Sequence, residues 1–228
     1  MRFDELETGD LIVYQANWCH SWFSGMIETI TFSRMTHVGI VLVDPPFPDH
    51  PRGTYMWHTT PRLFSPSYCH VKQGVHTTRV EELQKKEAWS GIWWCRKTGH
   101  EFRAALRAWG WRHRRGSLVP PRISGQDDSH WALRQLYDCV SSDQMIYPVE
   151  VTAWMHLFLL LPWGDPRLMH CSAFVTRMFL ELWLLSDETT MASAVSPVDL
   201  CTDGGWTVSV RWRCRPPSKT LFRLTSDL

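Results

Sequence analysis

The apolar positions of this chain form short runs with β-strand character in its first part and longer runs with helical spacing further on. Runs of β-branched and aromatic residues bounded by turn formers predict strands. They cover residues 11–14, 37–43, 53–59, 75–80 and 92–95. Pro45, Pro46 and Pro48 follow the second run and lack the N–H that a ladder needs, so a loop is expected there. Runs two and three should then pair as an antiparallel hairpin in a meander-like sheet.

Helical spacing of apolar residues marks other segments. The pattern predicts helices over 24–33, 101–112 and 172–185, a short one around 131–137, and further strands at 206–212 and 221–224. In the helix over 172–185, the residues expected to be buried are Phe174, Val175, Met178, Phe179, Leu182 and Trp183. The expected class is α+β, with an antiparallel sheet packed against this helix. One domain over 1–228 is expected, with a helical and loop insertion at about 100–163.

Composition narrows the function classes. The chain has 228 residues, 44% of them hydrophobic and 21% charged, and a formal net charge of +1. This balance is typical of a globular protein and argues against nucleic acid as a partner. The first ten residues have no apolar signal core, and the apolar run at 149–163 is shorter than the roughly 20 residues of a membrane span. We therefore expect an intracellular protein whose seven cysteines are reduced.

Two residues suggest a thiolate nucleophile. Cys171 precedes an amphipathic run, and His37 begins an apolar strand. A helix N-terminus and a nearby imidazole both favour the thiolate, so a lowered pKa is expected for the cysteine. The imidazole must lie roughly 3 to 4 Å from a sulfur that substrate can reach. A third polar group should orient the imidazole, and His58 is the best placed, with Thr59 or Thr60 as alternatives.

The order of these segments resembles a known family. Gly9-Asp10-Leu11-Ile12, Thr36-His37-Val38-Gly39-Ile40-Val41 and Cys171-Ser172 occur in the order typical of the circularly permuted papain-like amidases, the YiiX- and YaeF-like relatives of NlpC peptidases. More distantly, the chain is similar to lecithin:retinol acyltransferase. Residues 5–60 and 165–202 carry the resemblance. It implies a permuted papain-like fold with Cys171 as nucleophile and His37 as general base. The third position, commonly glutamate in bacterial members, falls on His58.

The resemblance implies a hydrolase or acyltransferase without a cofactor. The Cys171 thiolate would attack an amide or ester carbonyl of a small-molecule, peptide or lipid substrate and form a thioester. The N–H of Cys171 would stabilise the oxyanion, with Tyr14 or Gln15 as candidates for a second donor. The alternative is a catalytically inactive module of the same fold that binds lipid or peptide through a cleft rich in the chain's 14 tryptophans.

An arginine-rich segment offers a second kind of site. Its candidates for binding an anion such as a lipid headgroup are Arg103, Arg107, Arg112, Arg114 and Arg115. Glu101 is the acidic residue expected to oppose them. Such arginines are more often a solvated helix face, so peripheral membrane contact is a secondary hypothesis. Adjacent Cys-His pairs such as His170-Cys171 lack the spacing of a zinc clamp, and no metal site is predicted.

Overall fold

The computed structural model describes residues 5–14, 35–59, 74–84, 94–96, 98–114, 128–142, 169–185, 195, 197 and 199–200. Predicted segments at 24–33, 149–163, 206–212 and 221–224 lie outside these residues. The strands are β1 (Leu11–Tyr14), β2 (His37–Val43), β3 (Thr54–Thr59), β4 (Val75–Arg79) and β5 (Trp94–Arg96). The helices are α1 (Val80–Gln84), α2 (Gly99–Arg114), α3 (Asp128–Ser142) and α4 (Cys171–Glu181).

The strands form one antiparallel sheet in the order β4-β3-β2-β1-β5. Consecutive strands β1 to β4 are neighbours, so the predicted meander and the β2–β3 hairpin are confirmed. β5 returns to the free side of β1, where Ile12 faces Cys95 in the register. The described residues therefore have an α+β architecture.

Alternation along the strands gives the sheet two apolar faces, because successive side chains point to opposite sides. Val38, Ile40 and Leu42 of β2 belong to the main core, together with the apolar side of α4. Val41 instead joins a smaller cluster that includes Met56 of β3 and Val80 and Leu83 of α1. Both faces are covered, which explains why β2 is an almost continuous apolar run.

Helix α4 packs on β2 and β3 through four fully or almost fully buried side chains. These are Phe174, Val175, Met178 and Phe179. The Phe174 ring meets the Trp57 ring edge-on at 5.1 Å between centroids. Each large apolar side chain buried in this way stabilises the fold by about 1.5–3 kcal/mol. This packing places the first residue of α4, Cys171, at the end of the sheet where β2 begins.

Asp10 ties β1 to the beginning of α2. Its buried carboxylate accepts hydrogen bonds from the N–H groups of Thr98 and Gly99, each at 3.0 Å. The Thr98 hydroxyl in turn donates to the carbonyl of Gly9 at 2.6 Å. Gly9 has φ +101, and a Cβ there would lie 2.3 Å from Cβ of Phe102. The Gly9-Asp10 pair therefore does more than turn the chain, since it fixes where α2 begins.

Some sequence-based boundaries differ from the structure. Val80 was expected to end a strand but begins α1, and α3 is a 15-residue helix where a short one was expected. Helix α4 ends at Glu181 rather than at residue 185. Trp183, expected to be buried, is 68% exposed because its φ of +59 directs the chain out of the helix. The prediction for Trp183 was therefore wrong.

Candidate functional site

The beginning of α4 is held by two side chains that flank Cys171. His170 is the N-cap residue, and its Nδ1 accepts a hydrogen bond from the N–H of Ala173 at 3.2 Å. The hydroxyl of Ser172 lies 2.9 Å from the same nitrogen and donates to the carbonyl of Val195 at 2.7 Å. All three side chains, including the Cys171 thiol, are buried. Capping therefore fixes the backbone N–H groups that surround the sulfur.

The sulfur of Cys171 lies beside the first residues of β2. Its S–H donates to the carbonyl of Thr36 over 3.9 Å, and it accepts a hydrogen bond from the N–H of Val38. The paired region of β2 and β3 reaches only to Ile40 and Trp57. The N–H and carbonyl of Val41 face β1. Since these groups alternate along a strand, those of Thr36 and Val38 face the β3 side.

His37 lies between Thr36 and Val38, the two residues whose backbone groups contact the sulfur. The structure therefore places the sulfur of Cys171 next to backbone groups of the two residues that flank His37 in the chain. The hydrogen bond of the thiol, however, goes to a backbone carbonyl in this arrangement.

His37 and His58 form a direct side-chain contact. Nε2 of His37 lies 2.7 Å from Nδ1 of His58, with the ring planes at 86°. Nε2 of His58 lies 3.0 Å from the hydroxyl of Thr78 on β4. His58 is 2% exposed and its ring packs against that of His76 at 4.5 Å between centroids. The predicted juxtaposition of the two histidines is confirmed, and it continues to a third strand.

Gly39 makes room for this arrangement. It lies two residues after His37, on the same side of β2. A Cβ at Gly39 would lie 2.5 Å from Cε of Met56 and 2.9 Å from Cβ of His58. Only glycine lets β3 side chains approach β2 this closely, which gives the Gly39 of the sequence motif a physical role.

Burial dominates the protonation of the site. The side chains of Cys171 and His37 are 3% and 6% exposed. Desolvation raises the pKa of the Cys171 thiol to about 11, although hydrogen bonds from the N–H groups of Val38, Ser172 and Cys171 lower it in part. Desolvation, with a smaller contribution from His76, lowers the pKa of His37 to about 3. Both groups are neutral in this arrangement, so the expected fall in the thiol pKa is wrong here.

The remaining candidates are Tyr14 and Gln15 for the oxyanion and Thr59 and Thr60 for the orienting role. Tyr14 is the last residue of β1 and lies opposite His37 in the register. Gln15 lies outside the described residues, as does Thr60. Thr59 ends β3, and its buried hydroxyl has no hydrogen-bond partner among the residues that the structure describes. Of these, the backbone of Tyr14 is the part placed beside the candidate base.

Two of the candidate arginines, Arg103 and Arg112, have separate partners. Arg103 forms a salt bridge with Glu7 at 2.6 Å, so Glu101 is not the acidic residue that opposes it. The guanidinium of Arg112 stacks over the exposed Trp183 ring, 3.7 Å from its centroid. Arg107 is exposed on α2 and Arg114 ends that helix, whereas Arg115 lies outside the described residues. The sequence pattern missed both partners because Glu7 and Trp183 are far from α2 in the chain.

Within the described part of the chain, no group of three or more His, Cys, Asp or Glu side chains could hold a metal ion. Among the same residues, none of the helices has the length and apolar character required to cross a bilayer.

Comparison with known proteins gives no relative from which a function could be transferred. No protein-family model, curated protein or solved structure matches this chain. The interpretation of the site therefore depends on its own geometry and on the sequence pattern.

Proposed function

We propose that this chain is a cysteine-dependent hydrolase or acyltransferase that acts on an amide or ester bond, with a circularly permuted papain-like fold. The observation that carries the proposal is the combination of Cys171 at the beginning of α4 with the 2.7 Å contact between His37 and His58. A buried imidazole pair and a helix-terminal thiol together supply the components of a nucleophile, a base and an orienting group.

The proposed fold agrees with the order of the elements. The strand that begins with His37 precedes the helix that begins with Cys171, which is the permuted order. The antiparallel sheet and the packing of α4 on β2 and β3 are the arrangement that the resemblance implies.

The hydrogen bonds suggest how the proton moves. If Nε2 of His37 donates to Nδ1 of His58, then Nδ1 of His37 carries the lone pair that accepts the thiol proton. The resulting thiolate attacks the carbonyl carbon, and the carbonyl π electrons move to oxygen. The N–H of Cys171 donates to that oxyanion. Collapse expels the leaving group, which takes the proton from His37 and leaves a thioester on Cys171.

The second half of the reaction reverses these roles. Water or another acceptor gives a proton to Nδ1 of His37 while its oxygen or nitrogen attacks the thioester. The new tetrahedral intermediate breaks its C–S bond, and the thiolate recovers the proton from His37. Water as acceptor gives hydrolysis, and a small-molecule, peptide or lipid acceptor gives acyl transfer.

Activation of the thiol requires the covered site to open. Burial separates the two pKa values, to about 3 for His37 and about 11 for Cys171. Solvation and a polar substrate bring them together, because water stabilises both the imidazolium and the thiolate. The Cys171 thiol is therefore neutral while the site is covered and becomes reactive when the site admits substrate.

A second candidate is a module of this fold that binds without catalysis. The side chains of Cys171 and His37 are neutral and buried, which favours this binding module. A lipid surface is a suitable ligand for this candidate, since Trp111 and Trp183 are 59% and 68% exposed and Arg112 lies over Trp183. Tryptophan and arginine side chains together favour the interface of an anionic membrane.

Site-resolved alkylation separates the two candidates, and Cys139 is the internal control. Cys139 is exposed on α3, whereas Cys171 is buried. The full-length chain would be treated with iodoacetamide at neutral pH, and mass spectrometry would follow each cysteine. When the site opens to admit the reagent, an activated thiol should react about tenfold faster than Cys139. His37→Ala should slow Cys171 and leave Cys139 unchanged.

Other results favour the binding module. A Cys171 that stays unmodified while Cys139 reacts would refute the hydrolase proposal. Sedimentation of the chain with phosphatidylcholine vesicles, with and without phosphatidylserine, would then test the lipid-binding candidate. Cys139 also reports on folding, since an unfolded His37→Ala variant would expose both thiols and equalise their rates.

A further inference from the structure

Thr78 belongs to a hydrogen-bonded chain that also includes His58 and His37. Its hydroxyl is 3.0 Å from Nε2 of His58, and Nδ1 of His58 is 2.7 Å from Nε2 of His37. Thr78 and His58 are each 2% exposed. The chain therefore crosses three neighbouring strands, β2, β3 and β4, away from bulk water.

A histidine at the orienting position needs a further partner. A carboxylate can only accept from its neighbour, so it fixes the direction of the hydrogen bond by itself. A neutral imidazole can donate or accept, depending on which nitrogen carries the proton. When Thr78 accepts from Nε2–H of His58, Nδ1 of His58 must accept from Nε2–H of His37. Nδ1 of His37 is then the basic nitrogen.

The opposite direction would disable the base. If Nε2 of His58 accepted from Thr78, its Nδ1–H would donate to Nε2 of His37. The neutral His37 ring would then carry its proton on Nδ1, the nitrogen that must take the thiol proton. The direction of one hydrogen bond on β4 is thus linked to the reactivity of a thiol two strands away.

The strand register explains why Thr78 reaches His58. Thr78 faces Met56 in the ladder, and His76 lies directly opposite His58. The His76 ring covers the His58 ring, with centroids 4.5 Å apart. This contact restricts rotation of the His58 ring, while the diagonal position of Thr78 brings its hydroxyl to the edge of that ring.

We propose that Thr78 is a positioning residue that holds His58 in the orientation and tautomer in which His37 can deprotonate Cys171. This inference rests on the proposed function. Thr78 acts through His58 and has no contact with the reacting atoms.

Three variants of the full-length chain test the inference. Thr78→Val is isosteric and removes the hydroxyl, whereas Thr78→Ser retains it. Thr176→Val is the matched control, because the buried hydroxyl of Thr176 on α4 has no hydrogen-bond partner among the described residues. The rate of iodoacetamide modification of Cys171 would be measured from pH 5 to pH 10, with the Cys139 rate alongside.

Thr78→Val should lower the neutral-pH rate at Cys171 about tenfold, since misplacing a general base removes part of its contribution. Its pH profile should move toward that of an unassisted thiol, with reactivity only at alkaline pH. Thr78→Ser and Thr176→Val should keep the parent profile. A Thr78→Val profile equal to that of the parent would overturn the inference.

Nitrogen NMR of histidine-labelled protein gives an independent readout. In the parent, Nε2 of His58 should carry the proton and Nδ1 should not. Thr78→Val should shift this tautomer, and Thr78→Ser should restore it. An unreactive Cys171 in the parent would refute the proposed function. An unchanged His58 tautomer in Thr78→Val would refute the role of Thr78, whether or not Cys171 reacts.

Discussion

Nε2 of His37 lies 2.7 Å from Nδ1 of His58, although 21 positions separate the two residues in the chain. The β2–β3 hairpin brings them together, and burial keeps the ring of His37 neutral, with its pKa lowered to about 3. The contact therefore couples the candidate site to the pH dependence of folding.

The free energy of unfolding should fall on both sides of neutral pH. Unfolded histidine binds a proton near pH 6.5, whereas folded His37 does so only near pH 3. The contribution of neutral His37 to the free energy of unfolding is fully present above pH 6.5 and is lost as the pH falls toward 3. Cys171 behaves in the opposite sense, since its pKa rises from 9.0 to about 11. Its contribution is present below pH 9 and is lost as the pH rises toward 11.

Urea unfolding between pH 4 and pH 11 measures the loss of stability on the acid side and on the alkaline side, which are the acid and alkaline limbs of the stability profile. Each fully shifted group contributes a slope of about 1.4 kcal/mol per pH unit within its window. His37→Asn should flatten the acid limb, whereas His113→Asn, at an exposed position of α2, should not. Cys171→Ala should flatten the alkaline limb, and Cys139→Ala is its control. An acid limb that persists unchanged in His37→Asn would show that other groups cause it.

Gly39→Ala should disturb the histidine pair and lower stability. The new Cβ would lie within 3 Å of Met56 and His58 atoms, so β3 must move away from β2. Overpacking of this kind costs about 1–3 kcal/mol. The displaced His58 should also slow the reaction of Cys171 with iodoacetamide.

Gly110→Ala is the matched control for this change. Its Cβ would lie 2.7 Å from Cβ of Ala132, where α2 packs on α3. Both variants should lose stability in urea unfolding, but only Gly39→Ala should alter the rate at Cys171. Equal rates in the two variants would mean that the close approach at Gly39 serves packing alone.

The strands could be predicted because their signals are local. Residues 11–14 and 37–43 alternate or run apolar between turn formers, and the structure begins and ends β1 and β2 at those residues. Once β2 and β3 are paired as a hairpin, the proximity of His37 and His58 follows from the register. Their roles in a reaction remain a proposal.

Other features depend on contacts that no local pattern contains. Asp10 binds the backbone of Gly99, 89 positions further along the chain. Burial of Cys171 depends on every segment that covers it, so the helix N-terminus and the expected imidazole predicted the wrong direction for its pKa. Thr78 had no motif of its own. A strand register extended from β3 to β4 would have been needed to find it.

Asp10 should contribute strongly to stability. Its carboxylate is 1% exposed and accepts from Thr98 and Gly99 through one oxygen and from Glu7 through the other. Asp10→Ala leaves these N–H groups without the acceptor and should lower the free energy of unfolding by about 2–3 kcal/mol. Asp10→Asn keeps one oxygen and should lose about half as much. Urea unfolding of both variants checks this, and equal losses would contradict the importance of the retained oxygen.

Trp183 should be tolerated better as glycine than as alanine. It has φ +59 at the end of α4, where the N–H of Leu184 donates to the carbonyl of Phe179 at 2.7 Å. Such a helix end usually carries glycine, because a Cβ destabilises the left-handed conformation. Trp183→Gly and Trp183→Ala both lose the stacking of Arg112, so that loss cancels in the comparison. The glycine variant should be more stable by about 1 kcal/mol in thermal unfolding, since only it gains relief from backbone strain. A more stable alanine variant would show that residue 183 leaves this conformation when the tryptophan is removed.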